Sequence, residues 1–326
     1  MTTNSSPRQM PFSVAVTIWA LIVASAAVNG MLLGFGGPRL AVAIGVAAAL
    51  FGFEFFLALP SAQNPVQGTL GARLGFLAPL APLGLFLVYS VVLGNRSWIT
   101  VAGAAYVILP ALILASSAGK SPGTWEDYLA VVLIWFPIEF RWTYRLFPYP
   151  PPLTHTLAIL LAISTGVAAF IFLRRLDGVG YAIDWRRGYF SHFAILFVVF
   201  AAIAIPLAMK IGFIHWAPSL HRLRAAPLTL VGILFFTAWP EEFLFRGLLQ
   251  NLLSKTLKNS WLGLFLAAVI FGLSHILHAP FPNWKYVALA SIAGLFYGLA
   301  WMRTRSLVPG VLLHALVDIS WHILFR

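Results

Sequence analysis

Apolar runs long enough to cross a bilayer follow one another along this chain, and no other feature narrows the possible folds so far. Phe12 to Phe35 and Ser97 to Ser117 carry no charged residue, and a hydrocarbon core about 30 Å thick is crossed by roughly 20 such residues in a helix. Backbone amides find no water to bond inside lipid, so only helices and closed barrels span it. A barrel needs apolar and polar side chains alternating over segments of about ten residues, and no such alternation is present. The sequence therefore predicts an all-α protein, a polytopic transmembrane helix bundle of about ten or eleven helices. The chain is expected to be an integral, multi-pass protein of the plasma membrane of a prokaryote.

Windows of spanning length predict helices over 13–35, 39–60, 74–94, 97–117, 126–147, 153–174, 189–209, 227–253, 260–279, 284–303 and 306–325. The segment 126–147 stands apart because it holds Glu126, Asp127, Glu139, Arg141 and Arg145; it is expected to lie in the interface or tilt within the bundle. Ala24-Ser25-Ala26 has the small residues of a signal-peptidase site, but the apolar run continues past it. That run exceeds the roughly 7–15 residues of a signal-peptide core, so retention of the first helix is expected.

The longest charged connection runs from Arg174 to Arg187 and divides the chain into 1–187, transmembrane helices of unassigned role, and 188–326, a functional membrane core. The formal net charge is +12, which raises the question of nucleic acid. The basic residues, however, sit in short connections between apolar runs instead of one stripe, so nucleic acid is not an expected partner and the bilayer is. Arg174, Arg175, Arg186, Arg187, Lys255, Lys258, Arg303 and Arg305 fall on one side of the C-terminal helices. Lys210, Arg222, Arg224, Lys285 and Arg326 fall on the other, and the larger set predicts the cytoplasmic face. The absence of cysteine excludes a thiol nucleophile, cysteine-ligated metals and disulfides. Ala290, Gly294 and Gly298 recur every fourth residue on one helix face, where small residues let another backbone approach.

Only 9% of the residues are charged, and an ionisable side chain inside an apolar helix costs on the order of 2.5–3.5 kcal/mol. The ones that are kept point to function. Glu241, Glu242 and Arg246 lie deep in the helix over 227–253. Glu242 and Arg246 share a face and suit an ion pair, whereas Glu241 is turned by about 100°. Two adjacent carboxylates in low dielectric do not both ionise easily, so one poised base beside one structural acid is expected. Pro240 removes a backbone donor and is expected to break the helix or kink it. On the next predicted helix stand Phe271 and His275, with His278 beyond. His314 and Asp318 lie on the last, with His322 one turn further and expected to stay outside the site.

Glu-Glu-x-x-x-Arg at 241–246, Phe-x-x-x-His at 271–275 and His-x-x-x-Asp at 314–318, each on its own helix, resemble the CPBP family. This is the CAAX-protease and bacteriocin-processing group, also called Abi, which includes the type II CAAX prenyl endopeptidase. The resemblance spans 227–322. It implies an intramembrane endopeptidase in which Glu241 and His275 activate a water while His314 and Asp318 stabilise the oxyanion, with Glu242 in the catalytic group and Arg246 and Phe271 in support. Asparagine is the family's usual residue where this chain has Asp318. The implied partner is a peptide or lipidated peptide in or at the membrane.

No cofactor is expected, with zinc on His275, His314 and Glu241 left open. Other protease plans are missing: there is no His-Glu-x-x-His helix and no Gly-x-Ser-x-Gly elbow. Ser274 neighbours His275, but adjacent helical positions diverge by about 100° and are not expected to meet. A proton-coupled transporter or membrane binding protein using the same buried Glu and His residues is the alternative, though the paired repeats of transporters are not found.

Overall fold

The computed structural model describes residues 8–186 and 188–326; Arg187 and the polar segment up to Pro7 lie outside the described residues. The chain forms helices α1 Phe12–Leu32, α2 Gly37–Leu57, α3 Pro60–Leu74, α4 Gly75–Val92, α5 Ser97–Ser116, α6 Trp125–Glu139, α7 Pro151–Leu173, α8 Tyr189–Lys210, α9 Leu220–Thr256, α10 Ser260–Leu273, α11 Trp284–Thr304 and α12 Val308–Leu324. Eight of them are long and apolar enough to cross a membrane, and α10 and α12 are shorter apolar helices. The protein is an all-α polytopic membrane bundle.

The described chain separates into two compact units, Gln9–Asp177 and Gly178–Arg326, the second of which also takes Arg8. The division falls before the boundary expected at 187/188 because the loop after Asp177 is held by the C-terminal helices. Trp301 Nε1 donates to the Val179 carbonyl at 3.1 Å, the Leu307 amide donates to Gly180 at 3.1 Å, and the Tyr181 ring packs on Trp239 and Phe243.

In the N-terminal unit, α7 is buried over most of its length. Helix α6 is not among the eight membrane-crossing helices, in line with its acidic first turn. Its Asp127 accepts the Thr124 amide at 3.0 Å and pairs with Arg174 at 2.7 Å, while Glu126 pairs with Lys120 at 2.5 Å. These partners offset the cost of burying charge on both residues, although Glu126 Oε2 has no hydrogen-bond partner. Helix α3, which the hydropathy windows passed over, is polar and is interrupted at Gly71, whose φ of 55° is left-handed.

In the C-terminal unit, side-chain caps set where the helices start. Ser219 accepts from the Arg222 amide to open α9, Asn259 from Trp261 and Leu262 to open α10, and Asn283 from Tyr286 to open α11. The small-residue face of α11 lies against α10 as expected. A Cβ on Gly294 would stand 3.0 Å from the Ala268 Cα, and one on Gly298 would stand 2.4 Å from Leu264 Cδ1.

Two expectations are corrected here. Pro240 does not break its helix: α9 runs on through it, with wider i→i+5 turns at Leu234–Ala238 and Phe243–Gln250 flanking a short α segment. Such widened turns absorb the missing amide and are common at functional sites. Helix α10 ends at Leu273, short of the expected 279, so His275 and His278 stand on the turns that follow it. Pro280 and Pro282 lack amide donors and disfavour helix in the residues before them.

Candidate active site

The three sequence motifs converge inside the C-terminal unit. At the centre is Glu242, fully buried, whose Oε1 lies 3.1 Å from Arg246 Nη1 and 3.0 Å from His314 Nδ1. The i,i+4 spacing on α9 supplies the first contact, and the packing of α12 on α9 supplies the second. Gly310, one turn before His314, makes room for this carboxylate: a Cβ there would stand 2.9 Å from Glu242 Oε2. Arg246 is itself buried, with its guanidinium over the Phe271 ring at 4.3 Å and the Tyr297 ring at 5.2 Å. A charge pair sealed this way is a fixed support, because freeing either partner would leave the other uncompensated in low dielectric.

His314 links that support to the remaining acids. Its Nδ1 faces Glu242, while its Nε2 lies 3.8 Å from Glu241 Oε2 and 3.6 Å from Asp318 Oδ2. The Tyr297 ring lies flat on the imidazole, with centroids 4.5 Å apart and planes at 16°, and Phe271 meets it edge-on at 5.9 Å. The imidazole orientation is therefore set on three sides. With Glu242 accepting from Nδ1–H, the Nε2 is a donor only in the imidazolium form.

The adjacent glutamates differ in access. Glu242 has no exposed side-chain surface, whereas Glu241 keeps 32% and Asp318 keeps 31%.

His275 lies on the turn after α10. Its Nδ1 is 2.9 Å from the Phe271 carbonyl, so Nδ1–H donates there and Nε2 is left as the lone-pair end. Ser274 does approach it: Oγ is 3.1 Å from His275 Nδ1 and donates to the Phe271 carbonyl at 2.7 Å. The helical divergence that was expected to keep them apart lapses because both residues are past the end of α10. Both polar groups are thus spent in closing that helix end.

His275, His314, Asp318 and Tyr297 line a cavity of about 120 Å³ whose remaining walls are mostly apolar side chains, chiefly of α8, α11 and α12, with Phe271 of α10 and Ser320 among them. An outer groove of about 850 Å³, lined by His278, Pro280, Pro282, Trp284 and Lys285 among others, shares Phe213, Tyr286 and Trp321 with it. His322 is exposed and contributes its carbonyl to Arg222 at 2.8 Å, away from the cluster.

Among the described residues, no group of three or more His, Asp or Glu side chains is arranged to hold a metal ion. His275, His314 and Glu241 are accordingly not assembled as a three-donor set. Tyr286, Tyr297 and Gly310 were not singled out from sequence. The spacing of Tyr297 between Gly294 and Gly298, and of Gly310 one turn before His314, was the available signal.

Residues 223–320 match the family described as type II CAAX prenyl endopeptidase Rce1-like. No curated protein and no solved structure matches the chain.

Proposed function

We propose that this chain, whose residues 223–320 form a domain of the CAAX/CPBP intramembrane protease family, hydrolyses a peptide bond of a membrane-associated substrate with a water activated by Glu241. The observation that carries this reading is the unequal setting of the two adjacent glutamates. Glu242 is sealed and engaged by Arg246 and His314, whereas Glu241 keeps a third of its side chain open beside His314 Nε2.

In this mechanism Glu241 takes a proton from the water as its oxygen attacks the scissile carbonyl carbon. His275 accepts at Nε2, the nitrogen left open by the Phe271 contact, a hydrogen bond from the water's second O–H, which stays on the attacking oxygen. The carbonyl π pair moves onto oxygen, and imidazolium His314 donates to that oxyanion from Nε2. Asp318 orients His314 from one turn away. When the oxyanion collapses the C–N bond breaks, and the proton held by Glu241 passes to the leaving nitrogen. Phe271, Tyr297, Arg246 and Glu242 hold these groups in place.

The family makes a prenylated C-terminal peptide the first substrate class to test. The test compares membrane-protein termini, by mass spectrometry, between cells expressing the wild-type chain and cells expressing Glu241→Gln. Termini present only with the wild type are expected. Unchanged termini, or wild-type turnover by Glu241→Gln, would overturn the assignment.

A further inference from the structure

We propose that Tyr286 is a further catalytic residue, its phenol O–H donating a hydrogen bond to the oxyanion where Asp318 brings a carboxylate in place of a neutral donor. The inference rests on the proteolytic reading above. An ionised carboxylate repels a developing oxyanion, so the site needs a neutral donor from elsewhere. Tyr286 stands on the first turn of α11, whose start is fixed by Asn283 capping its own amide at 3.0 Å.

Its ring is boxed by His275 at 4.5 Å, His278 at 5.0 Å, Phe213 at 5.3 Å and Trp321 at 5.5 Å. It lines the inner cavity together with His275, His314 and Asp318, and it also borders the outer groove. Tyr286 thus stands where the groove and the inner cavity share a wall. No described residue hydrogen-bonds to its hydroxyl. The phenol is thus held in position by its ring while its donor stays uncommitted.

Tyr297 is the other tyrosine in the cavity, but its ring lies flat on His314 beneath the Arg246 guanidinium. Its contribution is the support of His314, which a phenylalanine ring reproduces.

The test uses the full-length protein and an internally quenched peptide copying a Glu241-dependent cleavage site. Tyr286→Phe keeps the ring and its contacts, so thermal stability should be unchanged. Its kcat should fall about 10²-fold, the effect of removing one oxyanion donor, with KM little altered. In an Asp318→Asn background, where an amide supplies a donor, Tyr286→Phe should cost at most about tenfold, a non-additivity that a packing role does not produce.

Wild-type kcat in Tyr286→Phe alongside an inactive Glu241→Gln would overturn this inference and leave the proteolytic reading standing. An equal loss from Tyr286→Phe in the wild-type and Asp318→Asn backgrounds would overturn it likewise. The absence of any Glu241-dependent cleavage site would overturn both.

Discussion

Two neighbouring carboxylates, identical in chemistry, are given different settings by what covers them. Glu242 shares one oxygen between Arg246 and His314, so Glu242→Gln should leave a buried guanidinium uncompensated and cost about 3–5 kcal/mol. A lowered melting temperature of the detergent-purified variant checks this. Glu241→Gln removes the proposed base from a partly open side chain, so it should abolish cleavage with little change in melting temperature. Asp318 separates two mechanisms. As a positioning residue 3.6 Å from His314 Nε2, it can be replaced by an amide of the same shape. Asp318→Asn should keep substantial activity and Asp318→Ala should lose most of it, both unaffected by chelator. An inactive Asn variant rescued by added zinc would instead mark Asp318 as a metal ligand.

Helix contacts carry the site, and the tightest of them is testable separately from the chemistry. The α10–α11 seam depends on Gly294 and Gly298 having no Cβ, since Ala268, Leu264 and Gln250 occupy that space. Gly294→Leu and Gly298→Leu should each lose folded protein, with destabilisation of at least about 1–3 kcal/mol from overpacking. Normal thermal stability in both variants would contradict that seam. The end of α10 matters as much. Because the helix stops at Leu273, His275 turns its Nδ1 back onto the Phe271 carbonyl and faces the cavity.

Within the C-terminal unit the loops sort into two groups that match the charge assignment. Arg222 bonds the carbonyls of His322 and Phe325, and His215 and Arg326 exchange backbone hydrogen bonds. Gly180 and Asp184, in contrast, meet Leu307 and Ser306 at the other end. The side that includes Lys255, Arg303 and Arg305 is expected to be cytoplasmic. Since the chain has no cysteine, single substitutions report topology without background. In intact cells Lys285→Cys should react with an impermeant maleimide and Lys255→Cys should not; the reverse pattern would invert the topology.

Hydropathy alone was enough to read a helical membrane protein, since lipid allows the backbone few ways to satisfy its amides. Charges too costly to leave in an apolar helix marked Glu241, Glu242, Arg246, His275, His314 and Asp318. The resemblance they suggested over 227–322 agrees with the family match over 223–320. What periodicity left open concerns distances between helices and the behaviour of helix ends. It did not show that α9 continues through Pro240, that Ser274 meets His275 beyond α10, or that Gly310 clears space for Glu242. Nor did it distinguish which of two adjacent glutamates is sealed. Those outcomes depend on long-range packing of α9, α10, α11 and α12, where a side chain's neighbours come from residues far away in the chain.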